Sequence, residues 1–372
     1  KRKVNEAITG YYLLGNATFR KLNVLAGVRV EETDIVAQGS RTLATTGPRS
    51  VLPPGVNTNS LEGVRAKYVF QTIDSSYRSS PFPYLHLKYE VRPNLQARAS
   101  YTEGIGRPNF SQILPSLTQT DTPVDGYEGT VSSTRAGLLP QRSKNYDVSV
   151  EYYTRTAGKW SAAWFRRDIN DYISSTTVPM TPELLAELNL GNEFANYRLS
   201  TSQNLGNANW SGYELSVRQK LRDWSFVPSL LHGVEIWANH TGIYEMEGTF
   251  SGGAAGARIV HLSGVVDSQY NAGISYRSPR GKFYVHLKTN FQQSRPTSDL
   301  LATGPTNRNN PRQLDYQFWD METSYRLTQR LRLTCTARNL DSERPTFTEM
   351  GIVTNRQQAT GIQWISGANY DL

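Results

Sequence analysis

Hydrophobic and polar residues alternate along much of the chain with a period of two. Phe283, Val285, Leu287, Thr289 and Phe291 share one side of a run whose other side carries Tyr284, His286, Lys288, Asn290 and Gln292. The same division separates Leu331, Leu333, Cys335 and Ala337 from Arg332, Thr334, Thr336 and Arg338. It recurs with Leu85, Leu87, Tyr89 and Val91 against His86, Lys88 and Glu90, and with Tyr146, Val148, Val150 and Tyr152 against Asp147, Ser149 and Glu151. Leu22, Val24, Ala26, Val28 and Val30 oppose Asn23, Arg29 and Glu31, with Leu25 interrupting the polar side. Such alternation marks a strand with two unlike faces. The runs reach about 8–12 residues, longer than the usual five or six of a soluble sandwich and close to what a strand tilted across a bilayer needs. Apolar sides repeatedly begin or end in a ring (Tyr84, Tyr101, Tyr152, Trp160, Tyr276, Trp319, Tyr325, Trp364, Tyr370), as interfacial girdles do.

Thirteen strands are predicted, near 5–19, 21–33, 83–92, 95–103, 144–155, 159–172, 196–221, 232–245, 268–277, 282–293, 313–326, 330–340 and 359–372. Alternate connections are tight: Arg20–Lys21, 93–94, 156–158, 279–281 and 327–329, with an intermediate one at 222–231. The others are long: 34–82, 104–143, 173–195, 246–267, 294–312 and 341–358. Short turns at one end and long loops at the other are the asymmetry of an outer-membrane barrel, with the long loops extracellular. The expected fold is therefore all-β, an antiparallel transmembrane β-barrel of outer-membrane type. An odd strand count departs from the even number of single-chain bacterial barrels. At about 29 residues per strand with its loop, a 22-stranded barrel would need roughly 630 residues, so the 372 residues are expected to supply about 13–14 strands, the C-terminal part of a larger barrel.

Composition narrows the alternatives. The longest apolar runs are about five or six residues, far short of the roughly 20 of a membrane-spanning helix. Aromatic residues make up 11%, which argues against disorder. The lone cysteine, Cys335, excludes an internal disulfide framework; between Leu333 and Ala337 it is expected as a small apolar filler. Lys and Arg exceed Asp and Glu, 40 to 32, for a net charge of +8. These cations are spread through strands and loops without a basic helix or RNA-binding signature, so nucleic acid is not an expected partner. Arg98, Glu151, Arg218, Glu322 and Arg332 are expected to form a hydrated ladder on the polar face.

The five histidines (His86, His232, His240, His261, His286) show no metal-ligand spacing, and no cofactor, metal or catalytic residue is expected. His86 and His286 fall on polar faces, where a hydrogen bond is the expected role. His240 falls on an outward register, but the sequence offers it no serine partner for hydrolytic chemistry. Gly252–Gly256 lacks the Lys-Ser/Thr of a phosphate loop and is expected as a loop tip. Thr181, Pro182 and Gly191 predict a short helix with Thr as N-cap, Pro at its first position and a closing Gly.

Several segments resemble the C-terminal barrel of TonB-dependent receptors. Tyr101-Thr-Glu-Gly-Ile-Gly-Arg-Pro-Asn-Phe110, followed by Leu139-Pro140 and Lys144-Asn-Tyr-Asp147, is similar to one of the family's ordered patterns. Phe165-Arg-Arg-Asp-Ile-Asn-Asp-Tyr-Ile173, Asn209-Trp-Ser-Gly-Tyr-Glu-Leu-Ser216 and Ala337-Arg-Asn-Leu-Asp341 resemble further segments in the same order. The last strand resembles the signal read by the outer-membrane assembly machinery, through Trp364, Tyr370 and Leu372, where Leu372 replaces the family's usual Phe. The resemblance implies a non-enzymatic receptor in the outer membrane of a Gram-negative bacterium, surrounded by lipopolysaccharide and phospholipid. It implies energised uptake of a scarce solute, an oligosaccharide or a ferric siderophore, driven by TonB with ExbB and ExbD through a plug region not recognisable here. Loop positions expected to approach ligand are Arg107, Asn109, Phe110, Tyr127, Arg135, Arg308 and Asn309. Two alternatives stay open: a passive substrate-selective porin, which requires a further strand within 34–82 (Gly63–Phe70 being the candidate), and an outer-membrane barrel enzyme.

Overall fold

The computed structural model describes residues 2–42, 52, 55–124, 126–134, 138–156, 158–204, 206–250, 258–262, 264–297, 300–301, 311–349, 351–356 and 361–370. Thirteen strands follow one another across a single antiparallel meander. They are β1 (Lys3–Phe19), β2 (Leu22–Thr42), β3 (Phe82–Arg92), β4 (Leu95–Gly106), β5 (Gln141–Tyr153), β6 (Lys159–Asn170), β7 (Gly206–Lys220), β8 (Val234–Phe250), β9 (Ser268–Arg277), β10 (Phe283–Gln292), β11 (Tyr316–Arg326), β12 (Leu331–Arg338) and β13 (Gln363–Tyr370). The sheet is open, since among the described residues neither the outer edge of β1 nor that of β13 is paired. Among the described residues no helix is long and apolar enough to cross a membrane.

The register joins the alternating runs into two continuous faces. Leu85, Leu87 and Tyr89 lie opposite Ala26, Val24 and Leu22 on one side and opposite Tyr101, Ala99 and Ala97 on the other. The apolar row continues through Val148 and Trp164, Tyr213 and Leu215, and Ile274 beside Leu287. It ends at Leu333 beside Ala368 and Leu331 beside Tyr370. Many of these apolar side chains are exposed, Trp364 at 62% and Tyr370 at 60% among them. A contiguous apolar surface of this extent is costly in water and is what the outer face of a membrane barrel presents.

Tyr84 departs from the expected girdle. It shares a register row with Gly27 and Thr102 and so lies on the polar face. Its ring covers Gly27, where a Cβ would come within 2.4 Å of the Tyr84 ring and 2.6 Å of the Leu13 carbonyl oxygen. The same device holds Trp237 over Gly273: a Cβ there would lie 2.6 Å from the indole nitrogen, which donates to His286 Nε2 at 3.1 Å. Gly273→Ala should therefore expel the indole, break that hydrogen bond and cost about 1–3 kcal/mol by overpacking. Gly15→Ala, with nothing within 4 Å of the added atom, is the control, and thermal unfolding of the two variants checks the difference.

Two further departures concern strand ends. The run expected over 196–221 is two strands, Tyr197–Asn204 and β7, parted at Gly206, whose φ of +131° suits only glycine. Within 34–82, β2 continues to Thr42 and pairs with a strand at Tyr68–Arg78. That strand uses the same edge of β2 that β3 uses lower down, so it prolongs the β3 position and adds no further strand across the sheet. It begins near Gly63–Phe70, where residues Leu61–Lys67 are helical.

Candidate functional site

At the long-loop end the chain builds a second, smaller sheet. The hairpin of Ile173–Pro179 and Tyr197–Asn204 extends the β6–β7 direction. Strand Gly129–Ser133 joins it in parallel beside Tyr197–Ser200, and Leu117–Thr120 closes the far edge. Alternation again gives two unlike faces. Leu117, Val131, Tyr197 and Leu199 face inward and form a core with Met180, Leu185, Leu188 and Phe194. Tyr197 is fully buried, packs edge-on to Phe194 at 5.3 Å and donates its hydroxyl hydrogen to Asp121 Oδ1 at 2.7 Å.

The helix contributing Leu185 and Leu188 spans Pro182–Leu188, as its N-terminal signals predict. Thr181 Oγ1 accepts from the Leu184 backbone N–H at 3.3 Å, and a side-chain hydrogen bond from the same threonine lowers the Glu183 carboxyl below its ordinary value. The helix is closed by Asn189 in the left-handed region at φ +50°, not by Gly191, which instead precedes a 3-10 turn at Asn192–Phe194. Its two buried leucines make it a packing element of this cap.

The cap is fastened to the large sheet through β2. The upper part of β2 buries Glu31, Thr33, Ile35 and Ala37. A Cβ on Gly39 would meet the Pro115 carbonyl oxygen at 2.2 Å, so backbone lies directly on backbone there. The Arg41 guanidinium donates to the Leu188 carbonyl oxygen. The Glu31 carboxylate sits between Arg29, at 2.7 Å, and Arg107. Arg107 also reaches Thr33 Oγ1 at 3.4 Å and stands 3.9 Å from Glu6. Breaking a largely buried ion pair by removing one partner costs about 3–5 kcal/mol, so this network is a strong anchor.

The expected loop residues thus separate. Arg107 is an anchor on the carboxylates of β1 and β2. Asn109 and Phe110 are exposed at the start of a short helical turn, with the Asn109 backbone N–H donating to Gln112 Oε1 at 2.8 Å. Tyr127 is half-buried under the Arg198 guanidinium, 5.7 Å from its ring centre. Arg135, Arg308, Asn309, Gly252–Gly256 and Leu372 lie outside the described residues.

The polar face of the large sheet is charged and cross-linked. Arg98 and Lys159 approach Glu151 at 3.5 and 2.8 Å, Arg218 approaches Glu235 at 3.7 Å, and Lys288 approaches Asp320 at 3.4 Å. At the short-turn end a cavity of about 630 Å³ is lined by Lys220, Arg222, Arg277 and Glu235. Nearby Asp223 is held below its ordinary value, chiefly by a hydrogen bond from Thr156. Among the described residues no three His, Cys, Asp or Glu side chains gather to hold a metal.

His240 does have a hydroxyl neighbour that the sequence did not reveal: Ser268 Oγ lies 3.0 Å from its Nε2. The two residues stand two apart in the β8–β9 register, on the outward row that also holds Tyr270. Nucleophilic catalysis requires a third group orienting the other imidazole nitrogen and donors for the oxyanion. The contact at His240 on its other side is the Tyr213 ring, 5.5 Å away and edge-on. The backbone donors of these strands are spent on pairing.

The family model described as TonB dependent receptor-like, beta-barrel matches residues 2–340. Among solved structures, the chain is similar to the ferric-catecholate import receptor Fiu from Escherichia coli K12 at 13% identity and a TM-score of 0.64, covering 99% of this chain and 45% of that one. The ferric enterobactin receptor PfeA from Pseudomonas aeruginosa is similar at 13% identity and a TM-score of 0.62, covering 99% and 54%. The FrpB iron transporter from Neisseria meningitidis gives 14% and 0.57, covering 100% and 45%. The chain thus spans about half the length of these structures. No curated protein matches it.

Proposed function

The chain belongs to the TonB-dependent receptor β-barrel family, and on that premise we propose that it is the C-terminal barrel portion of an outer-membrane receptor that captures a scarce solute for energised uptake. The observation that carries this reading is the folded cap: two connections at one end of the sheet share a core and are held to β2 by an ionic anchor. A cap with its own core can hold contact residues in fixed places, which lowers the ordering cost of binding.

In this reading the apolar face meets phospholipid and lipopolysaccharide of a Gram-negative outer membrane. The long loops face outward and the short turns face the periplasm. TonB, with ExbB and ExbD, supplies work through a plug region of the parent protein. The assembly machinery recognises β13 through Trp364, Tyr370 and Leu372. Arg107, Asn109, Phe110, Tyr127, Arg135, Arg308 and Asn309 border the solute. The barrel makes and breaks no covalent bond. The solute is an oligosaccharide or a ferric siderophore; the relatives' names, ferric-catecholate and ferric enterobactin receptors, keep the second beside the first.

Solute accumulation by cells making the native protein, with and without TonB, tests the proposal. Uptake that stops without TonB is the expected result, whereas ion conductance and uptake that persist without TonB would mean a passive porin. Two variants refine it. Phe110→Ala should weaken solute binding about tenfold, the loss of roughly one good contact, with the loops as protease-resistant as before. Arg107→Ala should weaken binding and expose the 107–134 segment to protease as well, because it removes an anchor.

A further inference from the structure

The outward face of the cap sheet has a composition that its fold does not require. Opposite the buried row of Leu117, Val131, Tyr197 and Leu199, eight of the twelve positions on the four strands are Ser or Thr, the others being Ile173, Pro179, Arg198 and Asn204. One register row crosses all four strands as Thr177, Ser200, Ser132 and Thr118. Neighbouring strands stand about 4.8 Å apart, so the hydroxyls form an evenly spaced file. The Ser175–Ser202 pair continues it, with the two oxygens 3.5 Å apart. A cavity of about 200 Å³ opens on this file, and its lining is hydroxyl-bearing throughout apart from Gln112.

Strand propensity accounts for the threonines but not for the serines, which are not among the strand formers. Protection of an exposed edge would call for lysine or other charge, and the cavity lining has none. Arg198, a cation on the same face, is turned to the Tyr127 ring and to the Thr177 carbonyl oxygen at 3.4 Å. Among the described residues, Thr118, Ser132 and Ser200 make no side-chain hydrogen bond. Each hydroxyl offers one donor and two acceptor positions. A ligand presenting hydroxyls in succession can replace the water on such a file bond for bond, whereas an anionic ligand would lose hydration there without gaining an opposite charge.

We propose that this file is a subsite for a neutral, polyhydroxylated ligand, a saccharide chain, lying across Thr118, Ser132 and Ser200 with Gln112 at its wall. The inference rests on the receptor reading above and selects, between its two solute classes, the uncharged one. Exposed Phe110 lies two residues before Gln112 in the same short helix.

The test uses the full-length receptor purified from outer membranes and a panel of neutral linear gluco-, galacto- and xylo-oligosaccharides of about four to six units, with ferric enterobactin as the charged comparison. Calorimetry is expected to find at least one oligosaccharide that binds, and the Ser132→Ala/Ser200→Ala double variant is expected to bind it about tenfold more weakly, equivalent to about 1.4 kcal/mol. Unchanged protease resistance of the cap shows that the variant remains folded. Thr118→Val, which keeps shape and removes only the hydroxyl, should weaken binding in the same direction. Oligosaccharide binding unaffected by these variants, failure of every oligosaccharide to bind, or binding of ferric enterobactin alone overturns the inference. TonB-dependent accumulation in cells separates the two levels: dependence on TonB with an insensitive hydroxyl file leaves the receptor standing and removes only the saccharide subsite.

Discussion

Tyr197→Ala should melt the cap while leaving the large sheet intact. Tyr197 is fully buried at the centre of a core of only eight buried residues, between the Phe194 ring and the Asp121 carboxylate. Truncating a buried aromatic side chain to alanine costs about 3–5 kcal/mol. A unit this small buries too little apolar surface to hold more than a few kcal/mol in reserve, so the loss is of the order of its whole stability. The strands it joins are non-local: Gly129–Ser132 pairs with Tyr197–Ser200, and that closure is repaid only if the core forms. Hydrogen exchange and limited proteolysis should show 107–134 and 173–204 losing protection together. The variant should keep the heat-dependent gel mobility of a folded barrel and lose solute binding. Native-like protection in the variant would mean that anchorage to β2, through Arg107 and Arg41, holds the loops without the core.

Why the strands were legible and the cap was not has a physical explanation in β2. From Leu22 to Val30 the even positions are apolar, because that face meets hydrocarbon. Above Val30 the buried side becomes the odd one, Glu31, Thr33, Ile35, Ala37 and Gly39, because the strand has left the membrane band and its other face lies under the cap. The alternation changes phase, so the sequence-predicted strand ended at 33 although the ladder runs to Thr42. Tyr84 misled for a related reason: a ring at a strand end resembles a girdle residue, and only the register reveals Gly27 beneath it. The cap helix was legible because Thr181 and Pro182 are local signals. Its sheet was not, since Leu117 and Leu199 meet only through pairing between distant segments. Arg107 could be placed in a loop from sequence, but its partners Glu31 and Glu6 belong to β2 and β1, a separation that no local motif encodes. The Ser268–His240 contact was hidden in the same way, by a strand register.

Leu215→Arg and Ser216→Arg, adjacent on β7, should differ sharply. Leu215 lies on the apolar row, opposite Ala162 on β6 and His240 on β8, with 48% of its surface exposed. Tyr213 beside Trp164 and Val217 beside Trp160 flank it along the strand, so it sits between two aromatic positions inside the apolar band. Arginine on the lipid face of an outer-membrane barrel costs about 2–4 kcal/mol at the midplane and falls toward zero at the interfaces. Ser216 points to the other face, opposite Ser161 and Asn239, where ion pairs such as Arg218 with Glu235 already occur and water can hydrate a further guanidinium. The expected result is a Leu215→Arg protein that accumulates poorly in the outer membrane and unfolds about 2–4 kcal/mol more easily in denaturant titrations in lipid. Ser216→Arg should stay within about 0.5 kcal/mol of the native protein. Equal, small effects at both positions would mean that the apolar row does not face hydrocarbon, and the membrane orientation of the whole sheet would have to be abandoned with it. The reverse order would exchange the two faces, placing the ionic ladder outside, where its unshielded charges would forbid insertion.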